Sequence, residues 1–139
     1  MPVTAAGTDL DALDRLCATR PVRAIYTMPT LHNPLGAVLD EAGRARLADI
    51  ARRRGQLLIE DTSYAYLAEP APTALAALAP DRTVHVASLS KSIATGLRVG
   101  YLSAPHTLVP ALERAIRATV WNTPALTVAI ACRWLAALR

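Results

Sequence analysis

The sequence predicts an α/β fold built on a largely parallel sheet, and three observations lead to this prediction. Short apolar runs typical of buried strands alternate along the chain with segments of helical periodicity. Turn-rich polar segments follow three of the four runs. The 139 residues are 53% hydrophobic and 19% charged, which suits one globular domain with a single core.

The first helix and the first strand are predicted in the N-terminal part of the chain. Residues 1–3 have the composition of a strand tail, and Thr8 or Asp9 is a suitable N-cap for a helix that runs to about Thr19. The apolar segment 23–28 predicts a short buried strand. A loop rich in turn residues follows over 29–36.

A second helix is predicted with Asp40 as its N-cap and Gly55 as its C-terminal stop. Its buried face is expected to carry Leu47, Ile50 and Ala51, which recur at helical spacing. Four arginines are expected to lie mostly away from that face: Arg44, Arg46, Arg52 and Arg53.

Three further strands are predicted at 56–60, 83–87 and 98–103. The Pro- and Ala-rich connection after the first of them holds at most a short helix. Two helices then complete the chain. One is capped by Thr107 with a proline in its first turn, and the other is expected to turn four apolar side chains inward: Val128, Ala131, Leu135 and Leu138.

Polar residues collect where the predicted strands end. The first strand is followed by His-Asn-Pro at 32–34, the second ends in Glu60 and Asp61, and the third leads into the Ser-rich segment 88–92. In open α/β sheets, ligands bind beyond the carboxyl ends of the strands. The agreement of three separate segments predicts one functional site at this edge.

Lys91 is the only lysine in a chain that has fourteen arginines. Arginine never loses its proton in proteins and so cannot form an imine, whereas a neutral lysine amine can. The hydroxyls of Ser88 and Ser90 suit a phosphate, and Arg98 is close enough in sequence to add a two-pronged contact. On these residues alone, a polar turn with a solvated lysine is equally consistent.

Asp61 ends an apolar strand, where a carboxylate is costly unless it is paired. A pyridoxal phosphate (PLP) ring needs such a carboxylate to keep its pyridine nitrogen protonated. The side chains of Tyr64 and Asn33 suit an oxygen of the same ring. The sequence leaves two alternatives open, a helix N-cap Asp beside a packed Tyr and an ordinary Asn-Pro turn.

Other function classes lack their sequence patterns. The chain has no Walker, G-x-G-x-x-G or G-x-S-x-G motif, and its histidines are not at metal-ligand spacing, so no metal site is expected. No membrane helix or signal peptide is evident, and a cytoplasmic protein with reduced thiols at Cys17 and Cys132 is the expectation. The net charge of +4 is interpreted as solvated surface arginines rather than a nucleic-acid site.

Three stretches, in this order, resemble the large domain of fold type I PLP-dependent aminotransferases of class I/II. They are residues 26–36 (YTMPTLHNPLG), 57–67 (LLIEDTSYAYL) and 88–105 (SLSKSIATGLRVGYLSAP). The similarity is greatest to the branch shared by aminoadipate-type aminotransferases and MocR-type regulators. It implies a mainly parallel sheet, flanked by helices, in which the fourth strand is antiparallel.

The resemblance also implies catalytic roles. Lys91 would hold PLP as a Schiff base and later move a proton between substrate carbon atoms. Asp61 would pair with the pyridinium nitrogen, while Tyr64 and Asn33 would hold the ring hydroxyl oxygen.

A phosphate site is implied in the same way. Ser88 and Arg98 would bind the phosphate of PLP, with Ser90 as a less certain helper. The branch commonly has Pro in the turn after the lysine, where this chain has Thr95. We expect that difference to be tolerated.

The leading functional hypothesis is transfer of an amino group between an amino acid and a 2-oxo acid. Residues 1–139 would form part of the large domain, without its N-terminal part and the C-terminal small domain, and would be inactive alone. The resemblance implies a homodimer for the full-length parent. The alternative is the PLP-binding effector domain of a MocR/GntR-type transcription regulator, which would contact nucleic acid only through an upstream helix-turn-helix domain.

Overall fold

The computed structural model describes residues 3–4 and 7–137 and contains the predicted alternation of strands and helices. In chain order the regular elements are β1 (Val3–Thr4), β2 (Gly7–Thr8), α1 (Leu10–Thr19), β3 (Ala24–Thr27), α2 (Glu41–Arg54), β4 (Leu57–Asp61), α3 (Leu75–Leu78), β5 (Thr83–Ser88), α4 (Leu89–Ser92), β6 (Gly100–Ser103), α5 (Val109–Thr119) and α6 (Ala125–Ala137). Two 3-10 turns lie between them, at Ala65–Leu67 and Thr95–Leu97. Of the predicted strand tail, Val3 belongs to β1, and Met1 and Pro2 lie outside the described residues.

The main sheet has the strand order β3-β4-β5-β6. β3, β4 and β5 are parallel, and β6 pairs with β5 in the antiparallel direction, which confirms the expected sheet. β1 and β2 form a separate antiparallel pair. The carboxyl ends of β3, β4 and β5 therefore lie along one edge, called the site edge below.

The two faces of the main sheet have different surroundings. Ile25 and Leu58 point to the covered face, where they join buried residues of α1, α2 and α3 in one core cluster. Their neighbours Tyr26 and Ile59 point to the open face, and the Tyr26 side chain is 58% exposed. The prediction that 23–28 is simply a buried strand was therefore wrong, because β3 buries only alternate residues.

Local capping residues set the ends of the first two helices. Asp9 accepts a hydrogen bond from the Ala12 N–H at 2.9 Å, and Asp40 accepts one from the Gly43 N–H at 2.7 Å. Gly55 ends α2 in a left-handed conformation with φ of 70°, which glycine adopts without a steric penalty. These caps confirm the prediction for both helices.

Several predictions about the second half of the chain were wrong. α5 begins at Val109 without a side-chain cap, so Thr107 does not cap it. β6 begins at Gly100, because Arg98 adopts a left-handed conformation that a strand cannot contain. In α6 only Ala131 is buried among the expected inward residues: Val128 and Leu135 are 37% and 38% exposed, and Leu138 lies outside the described residues.

Arg44 is the largest departure from the predicted pattern, because its side chain is fully buried. It lies three and four residues before Leu47 and Ala48, which puts it on the same helical face as the core. The prediction that it lies away from that face was wrong. Its charge was taken as a sign of exposure, whereas its position in the helical repeat favoured burial.

Candidate functional site

The residues singled out from the sequence lie at or just beyond the site edge. Asn33 is in the loop after β3, Asp61 is the last residue of β4, and Ser88 is the last residue of β5. Lys91 lies in α4, directly after β5. The sheet register pairs Asp61 with Val86, two residues before Ser88, so the ends of these two strands are adjacent.

The Asp61 carboxylate accepts three hydrogen bonds. Its Oδ1 atom accepts from the backbone N–H and the hydroxyl of Ser63, at 2.9 and 2.7 Å, and its Oδ2 atom accepts from the Tyr26 hydroxyl at 2.7 Å. Burial alone would raise the pKa of this carboxyl, but the hydrogen bonds outweigh it and hold the pKa below 3.8. A carboxylate offers about four lone-pair positions, so ionised Asp61 keeps one for a further donor.

Tyr26 is a site residue that sequence reasoning missed. It pairs with Ile59 across the sheet, and Asp61 lies two residues further along the same face, within reach of a long aromatic side chain. Burial, together with the hydrogen bond to Asp61 and the charge of that carboxylate, raises the pKa of Tyr26 to about 12. The predicted parallel pairing of the two strands was the signal that could have found this contact.

The Lys91 amine lies over an aromatic ring. Its Nζ atom is 6.0 Å from the centroid of the Tyr64 ring, at the limit within which a ring face attracts a cation. The Tyr66 hydroxyl donates to the Lys91 carbonyl oxygen at 2.7 Å and ties the turn after β4 to α4. The structure thus brings Lys91 and Tyr64 together, and Tyr66 is a tether that the sequence did not single out.

Two serine hydroxyls lie at the start of α4, and one of them, that of Ser90, is at hydrogen-bond distance from the guanidinium of Arg98. Ser88 caps α4, with its Oγ accepting from the Ser90 N–H at 3.2 Å, and Arg98 donates from Nη1 to Ser90 Oγ at 3.5 Å. Arg98 adopts a φ of 53° after the 3-10 turn, which leads the chain back toward β6. Two hydroxyl donors and a guanidinium are a donor set that suits a phosphate dianion.

Asn33 lines an open pocket of about 360 Å³. Tyr64 lines the same pocket, so the structure brings these two predicted residues to one cavity. The loop that carries Asn33 is held by two backbone hydrogen bonds, from His32 N–H to Ala37 O at 2.8 Å and from Gly36 N–H to His32 O at 2.6 Å. The site edge therefore presents an amide and a phenol to a common space.

The predicted site residues form three groups along the edge. Asp61 is held by Tyr26 and Ser63, Lys91 lies beside Tyr64, and Arg98 lies beside Ser90 of α4. Among residues 7–137, no hydrogen bond joins Asp61 to Lys91 or Lys91 to Arg98. The groups are positioned separately by the ends of β4 and β5, and they face a shared edge.

Comparison with known proteins assigns this arrangement to a family. The family model described as Aminotransferase class I and II matches residues 3–137. The chain belongs to the class I and II aminotransferases. This result confirms the resemblance drawn from the three sequence stretches.

Individual relatives of this chain include aminotransferases and transcription regulators. The α-aminoadipate aminotransferase LysN from Thermus thermophilus, solved in complex with N-(5'-phosphopyridoxyl)-L-leucine, superposes with a TM-score of 0.86 at 28% identity, over 91% of this chain and 34% of that one. The 2-aminoadipate transaminase of Thermus thermophilus is 30% identical over 132 residues, which are 91% of this chain and 33% of the relative. An uncharacterized HTH-type transcriptional regulator of Bacillus subtilis, YdeF, is 34% identical over 106 residues, which are 76% of this chain and 23% of the regulator.

These figures show how much of its relatives this chain covers. It spans about a quarter to a third of the length of the relatives it matches. The neighbours confirm the PLP-transferase fold, with its mostly parallel sheet and one antiparallel strand pair.

Two negative findings apply to the described part of the chain. None of its helices has both the length and the apolar character needed to span a membrane. Its histidines, cysteines and carboxylates do not form a group of three or more that could hold a metal ion.

Proposed function

We propose that this chain is the cofactor-binding part of a PLP-dependent aminotransferase that transfers an amino group between an amino acid and a 2-oxo acid. The observation that carries the proposal is the match between the donor set at the site edge and the chemical groups of PLP. Lys91 is the proposed point of covalent attachment. Asn33, Asp61, Tyr64, Ser88, Ser90 and Arg98 are the proposed non-covalent contacts.

Each part of the cofactor has a suitable partner at the site edge. Ionised Asp61 has one free acceptor position, which suits a protonated ring nitrogen. Asn33 and Tyr64 face one pocket and suit the ring oxygen. Ser88 uses its oxygen to cap α4, which leaves its hydroxyl hydrogen for a phosphate oxygen beside Arg98.

The residues of this chain would divide the chemical work between binding and proton transfer. Bound PLP supplies an electron sink that stabilises negative charge on the substrate carbon. Asp61 would keep the ring nitrogen protonated by accepting a charge-assisted hydrogen bond from it. The Lys91 amine would act as general base and general acid, taking a proton from the substrate carbon that carries the amino group and returning a proton during the transfer.

The finer properties of the parent protein belong to the same proposal. Amino acids and 2-oxo acids are the proposed substrates, and a homodimer is the proposed assembly. Exposed large apolar side chains around the start of α6 support a partner for this chain, since Val120, Trp121 and Leu126 are 65%, 74% and 73% exposed.

The test uses the uniqueness of Lys91. The chain is titrated with PLP, its visible absorbance is recorded, and it is reduced with borohydride before peptide mapping by mass spectrometry. We expect saturable labelling of Lys91, with the chain's N-terminal amine as the only competing primary amine. Lys91→Ala should abolish the label.

Pyridoxal, which lacks the phosphate, is the matched control ligand. We expect it to label Lys91 more weakly than PLP does, and Arg98→Ala should reduce that difference. Label on the N-terminal amine alone, or equal labelling by both ligands in the unsubstituted chain, would contradict the proposal. If the chain is folded by circular dichroism yet takes no label, the same titration on a chain extended at both ends decides the matter.

A second candidate function is favoured by the regulator among the relatives. In that case the same PLP site would serve as the effector domain of a transcription regulator, preceded by a DNA-binding domain. The DNA encoding the residues before Met1 discriminates between the two candidates. A basic helix-turn-helix there, combined with PLP binding and no transamination, would favour the regulator.

A further inference from the structure

The buried Arg44 side chain contacts both the loop after β3 and the end of β4. The Arg44 side chain is 0% exposed, and its guanidinium donates four hydrogen bonds. Nε donates to Leu39 O at 2.7 Å, Nη1 to Thr73 O at 3.1 Å, and Nη2 to Pro29 O at 2.8 Å and Thr30 Oγ1 at 2.7 Å. Four of its five N–H groups are therefore satisfied by oxygen atoms of the chain.

Three of these acceptors belong to the two ends of one loop. Pro29 and Thr30 lie where the loop leaves β3, and Leu39 lies where the loop reaches α2. The Leu39 N–H also donates to Pro29 O at 2.8 Å, so the two ends are in direct contact. Asn33 lies between them. The guanidinium thus closes the neck of the loop that carries Asn33.

The opposite side of the guanidinium faces the end of β4. Arg44 Nη1 is 3.9 Å from Oε1 of Glu60, which is 1% exposed. Glu60 also accepts from the N–H groups of Leu75 and Ala76, at 2.8 and 3.1 Å, and its Oε2 lies 3.1 Å from His85 Nδ1. Glu60 immediately precedes Asp61 on β4, so the network reaches the backbone that carries the proposed ring partner.

We propose that Arg44 is a positioning residue, which fixes the Asn33 loop against the end of β4 so that Asn33, Tyr64 and Asp61 face the cofactor ring in one arrangement. The role of Arg44 toward the cofactor rests on the proposed function, whereas its role in fixing the loop does not. Stability alone is a weak explanation for the network, because a buried ion pair is often no more stabilising than apolar residues of similar volume.

The geometry requires arginine specifically. A guanidinium presents donors in a rigid planar fork, and here that fork contacts atoms of Pro29, Thr30, Leu39 and Thr73 at once. A lysine ammonium is a compact charge with three donors and cannot span those positions. Burial lowers the pKa of Arg44, although the charges of Glu60 and Glu41 oppose this effect. The group nevertheless stays protonated at neutral pH.

Hydrogen exchange of the loop amides tests the inference on the chain without any cofactor. The reporters are the N–H groups of His32, Gly36 and Leu39, which are all hydrogen-bonded within the loop. In Arg44→Lys we expect these amides to exchange at least about tenfold faster, since several charge-assisted hydrogen bonds are lost. Amides of α1 should be unchanged. Arg46→Lys is the matched control, because Arg46 lies on the same helix with a side chain 48% exposed, and it should leave the loop unchanged.

Two results would overturn the inference. One is loop exchange in Arg44→Lys equal to that of the unsubstituted chain. The other is equal acceleration of the loop and of α1, which would mean that Arg44 only stabilises the fold. Hydrogen exchange is also measured in Arg44→Met, which removes the charge altogether. If that variant fails to fold, the test depends on Arg44→Lys alone.

A second measurement separates this inference from the proposed function. Half-saturation of Lys91 labelling by PLP is compared in Arg44→Lys, Asn33→Ala and the double variant. If Arg44 acts through the Asn33 loop, Arg44→Lys should weaken labelling in the unsubstituted chain and have little further effect beside Asn33→Ala. Unaltered labelling with a loosened loop would overturn the role toward the cofactor. A loosened loop in Arg44→Lys, combined with no label on the unsubstituted chain even when it is extended at both ends, would support Arg44 as the fixing residue and contradict the proposed function.

Discussion

Two carboxylates, Glu60 and Asp61, are adjacent in the chain and face opposite sides of the sheet. Glu60 is on the covered face, is 1% exposed, and is surrounded by the Arg44 guanidinium, two helix N–H groups and His85. Asp61 is on the open face, is partly exposed, and retains an acceptor position after Tyr26 and Ser63 have donated to it.

The difference teaches how one strand end serves two purposes. A buried carboxylate must have its hydrogen bonds supplied within the fold, so Glu60 belongs to the framework. A carboxylate that keeps free capacity at an accessible edge is available to a ligand. The period of two along a strand places these opposite requirements on consecutive residues.

The largest expected effect is on the covered face. Glu60→Ala should lower the free energy of unfolding by about 3 kcal/mol or more, because it leaves the buried charge of Arg44 without its counter-charge. Asp61→Asn should change the same quantity by less than about 1 kcal/mol, since its hydrogen bonds are partly exposed to water. Urea titrations followed by circular dichroism measure both. Equal losses of unfolding free energy in the two variants would contradict the distinction between the two carboxylates.

The open face should respond in ligand binding instead. Asp61→Asn is expected to raise the PLP concentration needed for half-labelling of Lys91 about tenfold, because a charge-assisted hydrogen bond to the ring nitrogen is lost. Lys91 labelling in the folded variant measures this effect. A normal titration curve in Asp61→Asn would remove Asp61 from the proposed site.

A smaller effect is expected from Tyr26→Phe. The pKa of Asp61 lies below 3.8, so its hydrogen bonds stabilise the fold above that pH, and this stabilisation is lost as the pH falls through the folded-state pKa. Removing the Tyr26 donor should raise the pKa of Asp61, so that the loss begins at higher pH. A carbon-detected NMR titration of the carboxylate measures the shift, and an unchanged pKa would contradict the contact.

The same substitution has an alkaline consequence. Burial and the contact with Asp61 raise the pKa of Tyr26 from 10.0 to about 12, so the neutral phenol contributes stability that is fully present below pH 10 and is lost as the pH rises to about 12. Ultraviolet titration of the chain should therefore lose its step near pH 12 in Tyr26→Phe. Persistence of that step would assign it to another tyrosine.

The smallest expected effect is at the surface of α2. Arg46 pairs with Asp11 between side chains that are 48% and 66% exposed, and Arg46→Ala should change the free energy of unfolding by less than about 0.5 kcal/mol. Thermal unfolding at low and high salt measures it. A loss of unfolding free energy as large as that in Glu60→Ala would mean that exposure does not distinguish this ion pair from the buried pair of Arg44 and Glu60.

Local signals explain the parts of the fold that were predictable from sequence. Asp9, Asp40 and Gly55 act on N–H or carbonyl groups within a few residues, so the helix ends were visible in the sequence. The order of strand-end segments predicted the site edge, and the resemblance supplied roles for Lys91 and Arg98. Those roles remain predictions, although the structure brings several of the residues together.

Long-range contacts explain what the sequence could not provide. Tyr26 and Asp61 are separated by 35 residues, and Arg44 and Thr73 by 29. The strand register determines which residue Tyr26 meets, and the orientation of α2 against the sheet determines which residues Arg44 meets. Residue types alone specify neither. A buried arginine also contradicts the general expectation that arginines are solvated.

Arg98 shows a conflict between the preference of the backbone and the side chain that the position carries. A left-handed conformation costs a residue with a Cβ atom about 1 kcal/mol or more, and glycine would avoid that cost. Arginine at this position therefore keeps the backbone of the turn strained. Replacing it with glycine would relieve the strain but would remove the positive charge beside Ser90. Gly96, two residues earlier, has no such conflict, since it has a negative φ and nothing near its missing side chain. Glycine at position 98 would remove the backbone strain, and arginine supplies the positive charge. No single natural amino acid at that position does both.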